Sequence, residues 1–102
     1  METTITTRHG EIAEALNLRA ERVVARLARL ADRPTAAHVT FGLDHQRATA
    51  EVRLTAARGV VHVASAEAAD HRTALDRAAQ KLRRQLDKQE ANPRRRAGSA
   101  GR

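Results

Sequence analysis

Basic residues recur at helical spacing near the end of the chain, in the stretch DRAAQKLRRQLDK at residues 76–88. With Leu75 at zero on a wheel of 100° per residue, the apolar residues of this stretch fall within roughly 60° of it. A row of cations lies on the opposite side, between about 180° and 240°. The row contains Arg77, Lys81, Arg84 and Lys88. Such a row can neutralise several phosphate groups of a nucleic acid backbone, so phosphate binding is the chemistry it suggests.

The first helical segment has a similar row. With Leu16 at zero it lies between about −60° and −140°, and it contains Arg19, Arg22, Arg26 and Arg29. On both wheels the acidic residues fall elsewhere, and like charges four residues apart destabilise a helix slightly. Two helices with segregated charge therefore favour a polyanionic ligand over a merely solvated surface. The predicted RNA-binding residues are Arg22, Arg26, Arg29, Arg77, Lys81, Arg84 and Lys88.

The composition narrows the classes of nucleic-acid binding. Nineteen Lys and Arg against twelve Asp and Glu give a formal net charge of +7, which attracts RNA, DNA or an anionic membrane surface. The 102 residues include one Phe and no Trp or Tyr. RRM, OB-fold and cold-shock modules stack bases on exposed aromatic rings, and this chain lacks those rings. We therefore expect contacts through phosphates, sugars and shape.

No metal or catalytic site is predicted. The absence of cysteine excludes disulfides and thiolate metal sites, and the five histidines have no local metal-binding spacing. We expect His38 on the uncovered face of a sheet, with His62 as a second candidate for that face. No nucleophile is paired with a base, and there is no glycine-rich phosphate loop. We expect no enzyme activity, no cofactor and no small-molecule substrate.

The sequence pattern predicts the element order β-α-β-β-β-α. Alternation and β-branched residues predict strands at residues 3–8, 36–44, 48–56 and 60–65, with the inward face of the last strand left open. Helical spacing predicts helices at residues 11–31 and, after an N-cap at Asp70, up to about residue 91. The first two strands should pair in parallel and the others as antiparallel hairpins. The predicted fold class is α+β, a two-layer sandwich with both helices on one face of a four-stranded sheet.

One domain is predicted at residues 1–91. Residues 92–102 are rich in Gly, Ser and Arg, and we expect a disordered basic tail there. The N-terminus has no apolar region of signal-peptide length, and no apolar run approaches a membrane span. We therefore expect a cytoplasmic protein without a membrane partner.

Several segments together resemble the S30AE family, the ribosome hibernation promoting factors and ribosome-associated inhibitor proteins. The segment EIAEAL at residues 11–16 is similar to the start of the family's first helix. Residues 64–88 resemble its alanine-rich strand end, its Asp-x-x-x-Ala-Leu-Asp helix entry and its basic Lys-Leu-x-Arg-Gln-Leu-x-Lys helix. The resemblance covers residues 3–90. His71 and Arg72 replace a Met-Tyr pair that is common at the helix entry.

The resemblance implies a protein that binds the small ribosomal subunit, through 16S rRNA, or the 70S ribosome. It implies occupancy of the channel for mRNA and tRNA, and inhibition of translation while ribosomes are stored. Residues that match basic positions of the family are Arg26, Lys81, Arg84 and Lys88; the wheels alone add Arg22, Arg29 and Arg77.

Two other functions stay open from the sequence. A double-stranded-RNA-binding module has an α-β-β-β-α order close to this one, although the strand at residues 3–8 and the acidic helix entry at Asp70 argue against it. A protein-interaction domain could dock its basic faces on an acidic partner.

Overall fold

Four segments with alternating apolar side chains form one sheet, and two amphipathic segments form the helices that cover it. The computed structural model describes residues 1–8 and 10–90, with the side chains of residues 89 and 90 left out. The elements are β1 (Glu2–Thr7), α1 (Glu14–Ala28), β2 (Ala36–Asp44), β3 (Arg47–Thr55), β4 (Val61–Ala68) and α2 (His71–Glu90). The predicted order and the α+β class are confirmed. The predicted tail at residues 92–102 lies outside the described residues.

The strands lie side by side in chain order, β1-β2-β3-β4. The β1 and β2 strands pair in parallel, with Ile5 opposite Val39, and the remaining pairs are antiparallel. Helix α2 packs over β3 and β4, while α1 packs against α2 and β1. Helix α1 runs back along the sheet in the connection between the parallel strands β1 and β2, and α2 runs back along it after β4. Both helices therefore end at the edge of the sheet where β2 and β4 begin.

The core lies between the sheet and the two helices, because the inward face of each strand and one stripe of each helix are apolar. Phe41 is the largest fully buried side chain, and it meets the ring of His71 edge-on at 5.5 Å. The other members of the group of largest fully buried side chains are aliphatic. They are Val24, Val39, Val52, Leu54, Leu75, Leu82 and Leu86.

The sequence pattern did not determine which face of β4 points toward the helices, and the structure shows it. His62 lies opposite Leu54 of β3, and Ala64 and Ala68 share its face and are buried. His62 therefore points toward the helices and is only 5% exposed, so its placement on the open face was wrong. His38 lies on the open face as expected, where its Nε2 is 2.8 Å from the Thr6 hydroxyl.

The ends of α1 and α2 have local causes. Asp70 caps α2 as predicted, since its carboxylate accepts the backbone N–H of Thr73 at 2.8 Å. The α1 helix begins at Glu14, three residues later than expected, because Gly10 has a φ of 71° and Ala13 is extended. Its C-terminus closes with i→i+3 bonds, from Leu30 to Leu27 among them, so residues 29–31 form a turn.

Candidate nucleic-acid interface

A groove of about 400 Å³ runs between α1 and α2 on the outer surface of the helix layer. Its floor is apolar and includes Val23, Leu30 and Ala79, which pack against the core from its edge. Arginines from both helices line it: Arg26 and Arg29 come from the end of α1, and Arg83 comes from α2. All three are exposed. The groove can therefore hold an anionic group between cations that lie far apart in the sequence.

One ion pair closes part of this groove. Arg19 donates from Nε and from a terminal guanidinium nitrogen to the two carboxylate oxygens of Asp76, at 3.0 and 2.9 Å. These hydrogen bonds and the negative charge of Asp76 raise the pKa of Arg19 above its ordinary value. The expectation that the acids stay away from the basic rows was therefore wrong at Asp76. Arg19 joins the helices, while the other arginines of the groove remain for a ligand.

The basic row of α2 divides between two roles. Arg77 donates to the backbone carbonyl of Glu67 at 3.2 Å, and Lys81 donates to that of Ser65 at 3.0 Å. Gln85 continues the series with a 2.9 Å bond to the carbonyl of Val63. These three carbonyls belong to β4, which is an edge strand, and edge strands expose unpaired backbone groups. Arg77 and Lys81 therefore cap the sheet edge while their outer surfaces stay exposed.

The other predicted RNA-binding residues lie on the exposed surface of the helices. Arg22 is exposed on α1, and Arg84 and Lys88 are exposed on α2. Lys88 lies in the last turn of α2 and Arg26 in that of α1, where a cation is favoured by the negative end of the helix dipole. The two predicted rows thus share one layer, and the groove separates them.

Arg83 was missed by sequence reasoning. On the wheel it falls at about 80° from Leu75, close to the apolar side and away from the basic row. That angle is the flank that faces α1, and Asp76 and Ala79 share it. Among the described residues, Arg83 makes one ion contact, an exposed 3.9 Å approach to Asp87. The sequence did contain a signal for Arg83, because it is a basic residue on the flank of α2 and α1 has a basic flank of its own.

The described residues offer no competing site for a metal ion or a membrane span. Within residues 1–8 and 10–90 there is no group of His, Asp and Glu side chains that could hold a metal ion. In the same part of the chain, neither helix is long and apolar enough to cross a membrane.

Comparison with known proteins identifies the family. The family model described as "Sigma 54 modulation protein / S30EA ribosomal protein" matches residues 3–93. The N-terminal domain of protein Y from Thermus thermophilus is 30% identical, with a TM-score of 0.71 over 83% of this chain and 93% of that one.

A ribosomal subunit interface protein from Coxiella burnetii has the same fold. It is 23% identical, and its TM-score is 0.76 over 90% of this chain and all of that one. A search of curated protein sequences gave no match. The family model covers nearly the whole described chain, so this protein belongs to the ribosomal S30AE family.

Proposed function

We propose that this protein binds the small ribosomal subunit through 16S rRNA and inhibits translation while the ribosome is stored. It occupies the channel of mRNA and tRNA and holds rRNA phosphates with the basic surface of its helix layer. Membership of a family described as ribosomal supports the partner. The convergence of Arg26, Arg29 and Arg83 on one groove is the observation that supports the site.

The groove suits a sugar–phosphate backbone better than an isolated anion. Its cations come from two helices, and its floor offers apolar surface to a ribose or a base edge. Phosphate contacts position a protein on RNA, whereas base contacts supply sequence specificity. Since the chain has no aromatic ring to expose there, we propose recognition of the shape and charge of folded rRNA.

The predicted RNA-binding residues outside the groove contribute to phosphate binding to different degrees in this proposal. Arg22, Arg84 and Lys88 extend the phosphate-binding surface outward from the groove on both helices. Arg77 and Lys81 contribute at its margin, because their terminal nitrogens also bind carbonyls of β4. We therefore expect Arg83 and Arg84 to matter more for binding than Arg77.

Co-sedimentation with 70S ribosomes across a salt series, with translation in vitro in parallel, tests the proposal. We expect about one copy per ribosome and loss of translation at low salt. The logarithm of the binding constant should fall with the logarithm of salt concentration. Each phosphate contact contributes about 0.7–0.9 to that slope, so Arg83→Gln should reduce it by about one.

Arg8→Gln is the matched control, because Arg8 is an exposed arginine at the end of β1, beside Thr40 and Glu51 on the open face of the sheet and away from the helices. It removes the same charge and should leave the slope unchanged. If both variants lowered the salt slope equally, the protein would bind through its net charge and not through the groove. Tight binding to an isolated RNA duplex, with none to ribosomes, would favour a double-stranded-RNA-binding module and refute the proposal.

A further inference from the structure

Two loops meet at one end of the sheet, and each holds an arginine in the left-handed backbone region. Arg33, between α1 and β2, has a φ of 48°, and Arg58, between β3 and β4, has a φ of 64°. The backbone N–H of Ala57 donates to the carbonyl of Asp32 at 3.0 Å. That bond joins the residues directly before the two arginines, so the tertiary structure brings the backbones of their two loops together.

Among the described residues, no side-chain hydrogen bond explains why either position is an arginine. Residues other than glycine are strained in the left-handed region, and glycine adopts it freely. Arg33 lies in a loop and Arg58 in a single 3₁₀ turn at Ala57–Gly59, so neither arginine pairs with a residue one turn away along an α-helix. The Arg33 side chain is 73% exposed, and its one ion contact within the described part of the chain is a weak 3.7 Å approach to Asp32. Both arginines are exposed, so their guanidinium groups are available to an anionic ligand.

The topology collects further positive charge at the same end. Both helices end there, β3 ends there, and β2 and β4 begin there. The basic residues of this end are Arg26, Arg29, Arg33, Arg53, Arg58, Arg83, Arg84 and Lys88, and the acids among its described side chains are Glu2, Asp32 and Asp87. The opposite end is nearly balanced, with the acids Glu11, Glu14, Asp44, Glu67 and Asp70 beside the basic residues Arg8, Arg47, Arg72 and Arg77. The described chain is thus electrically polar along its strands.

We propose that Arg33 and Arg58 form a second phosphate-binding site for rRNA, separate from the groove between the helices. The joined loops present two guanidinium groups at the basic end of the sheet, where they bind phosphates of an adjoining rRNA segment. This inference rests on the proposed function and adds an orientation to it: the end with the two loops faces rRNA, and the His45–Gln46 hairpin faces away.

Glycine substitution separates binding from folding. Arg33→Gly and Arg58→Gly remove the charge and relieve the backbone strain at once. We expect thermal midpoints at or above that of the wild type. In the same salt series on 70S ribosomes, each variant should reduce the salt slope by about one. Arg58→Lys restores the charge and should restore the slope.

The hairpin at the other end gives a matched control. His45 and Gln46 also have positive φ, of 50° and 66°, so glycine relieves the same kind of strain without removing an arginine. His45→Gly and Gln46→Gly should leave both ribosome affinity and slope unchanged. Wild-type slopes for both arginine variants, while Arg83→Gln still lowers the slope, would overturn this inference alone. Absence of ribosome binding by the wild-type protein would overturn this inference and the proposed function together.

Discussion

Replacing His62 with leucine should stabilise the protein, because the histidine places a polar atom in the core without a partner. His62 is 5% exposed, and among the described residues its Nε2 is the buried side-chain atom that has no hydrogen-bond partner. Its neighbour across the sheet is Leu54, a fully buried core residue. An unsatisfied buried polar atom costs about 1–3 kcal/mol. Leucine removes that cost and adds apolar contact, so we expect a gain of about 1–2 kcal/mol.

The free energy of unfolding can be measured by urea denaturation and the midpoint by calorimetry. For a domain of this size, 1 kcal/mol corresponds to about 4–8 °C in Tm. His38→Leu is the control, because His38 lies on the open face and bonds to Thr6, and its replacement should not stabilise the protein. A folded His62→Leu variant that is less stable than the wild type would refute the assignment of His62 as an unsatisfied core residue.

Three further predictions concern charged residues. Asp76→Asn removes the carboxylate that holds Arg19; the exposed pair is worth about 0.2–1 kcal/mol of stability, and ribosome affinity should rise as the groove gains positive charge. The backbone N–H of Thr73 lowers the pKa of Asp70 below its ordinary value of 3.8. The stability that this carboxylate contributes is therefore present above about pH 4 and is lost as the pH falls through the lowered pKa. Asp70→Asn should make the free energy of unfolding less dependent on pH in this acid range. Lys81→Gln keeps an N–H donor for its β4 carbonyl, so stability should hold while the salt slope falls, by less than the fall of about one expected for Arg83→Gln.

Each of these predictions has a contradicting result. Unchanged ribosome affinity of Asp76→Asn would mean that the groove does not meet phosphate. Thermal midpoints measured from pH 7 to pH 2 that fall in parallel for Asp70→Asn and the wild type would remove the carboxylate from the acid dependence. Should Lys81→Gln lose stability without any change in slope, Lys81 would act only as a cap of the sheet edge.

The sequence by itself determined the order of the elements and most of their bounds. Alternation in residues 36–44 and helical spacing around Leu75, Leu82 and Leu86 are local patterns that report which side of an element is buried. The Asp70 cap is local too, because its partner is three residues away. The family resemblance was visible for the same reason, because the matching segments are short and their residue spacing can be read from the sequence alone.

The tertiary structure decided what lies beside each basic side chain. A helical wheel gives the angle of Lys81 or Arg83 around α2, but not that β4 borders one flank and α1 the other. The wheel of α2 placed Asp76 apart from the basic row of that helix, but it could not show that Arg19 of α1 lies beside it. The inward face of β4 also needed its register with β3, since alternating small residues do not distinguish the faces.

The pairing of Arg33 with Arg58 is the clearest case of information that the chain order hides. Twenty-four positions separate them, and no periodicity relates a helix-to-strand loop to a hairpin turn. They meet because β2 starts where β3 ends, and because one backbone hydrogen bond joins their loops. Local chemistry therefore fixed which elements form and which sides are buried, whereas non-local packing decided which cations converge on a common surface.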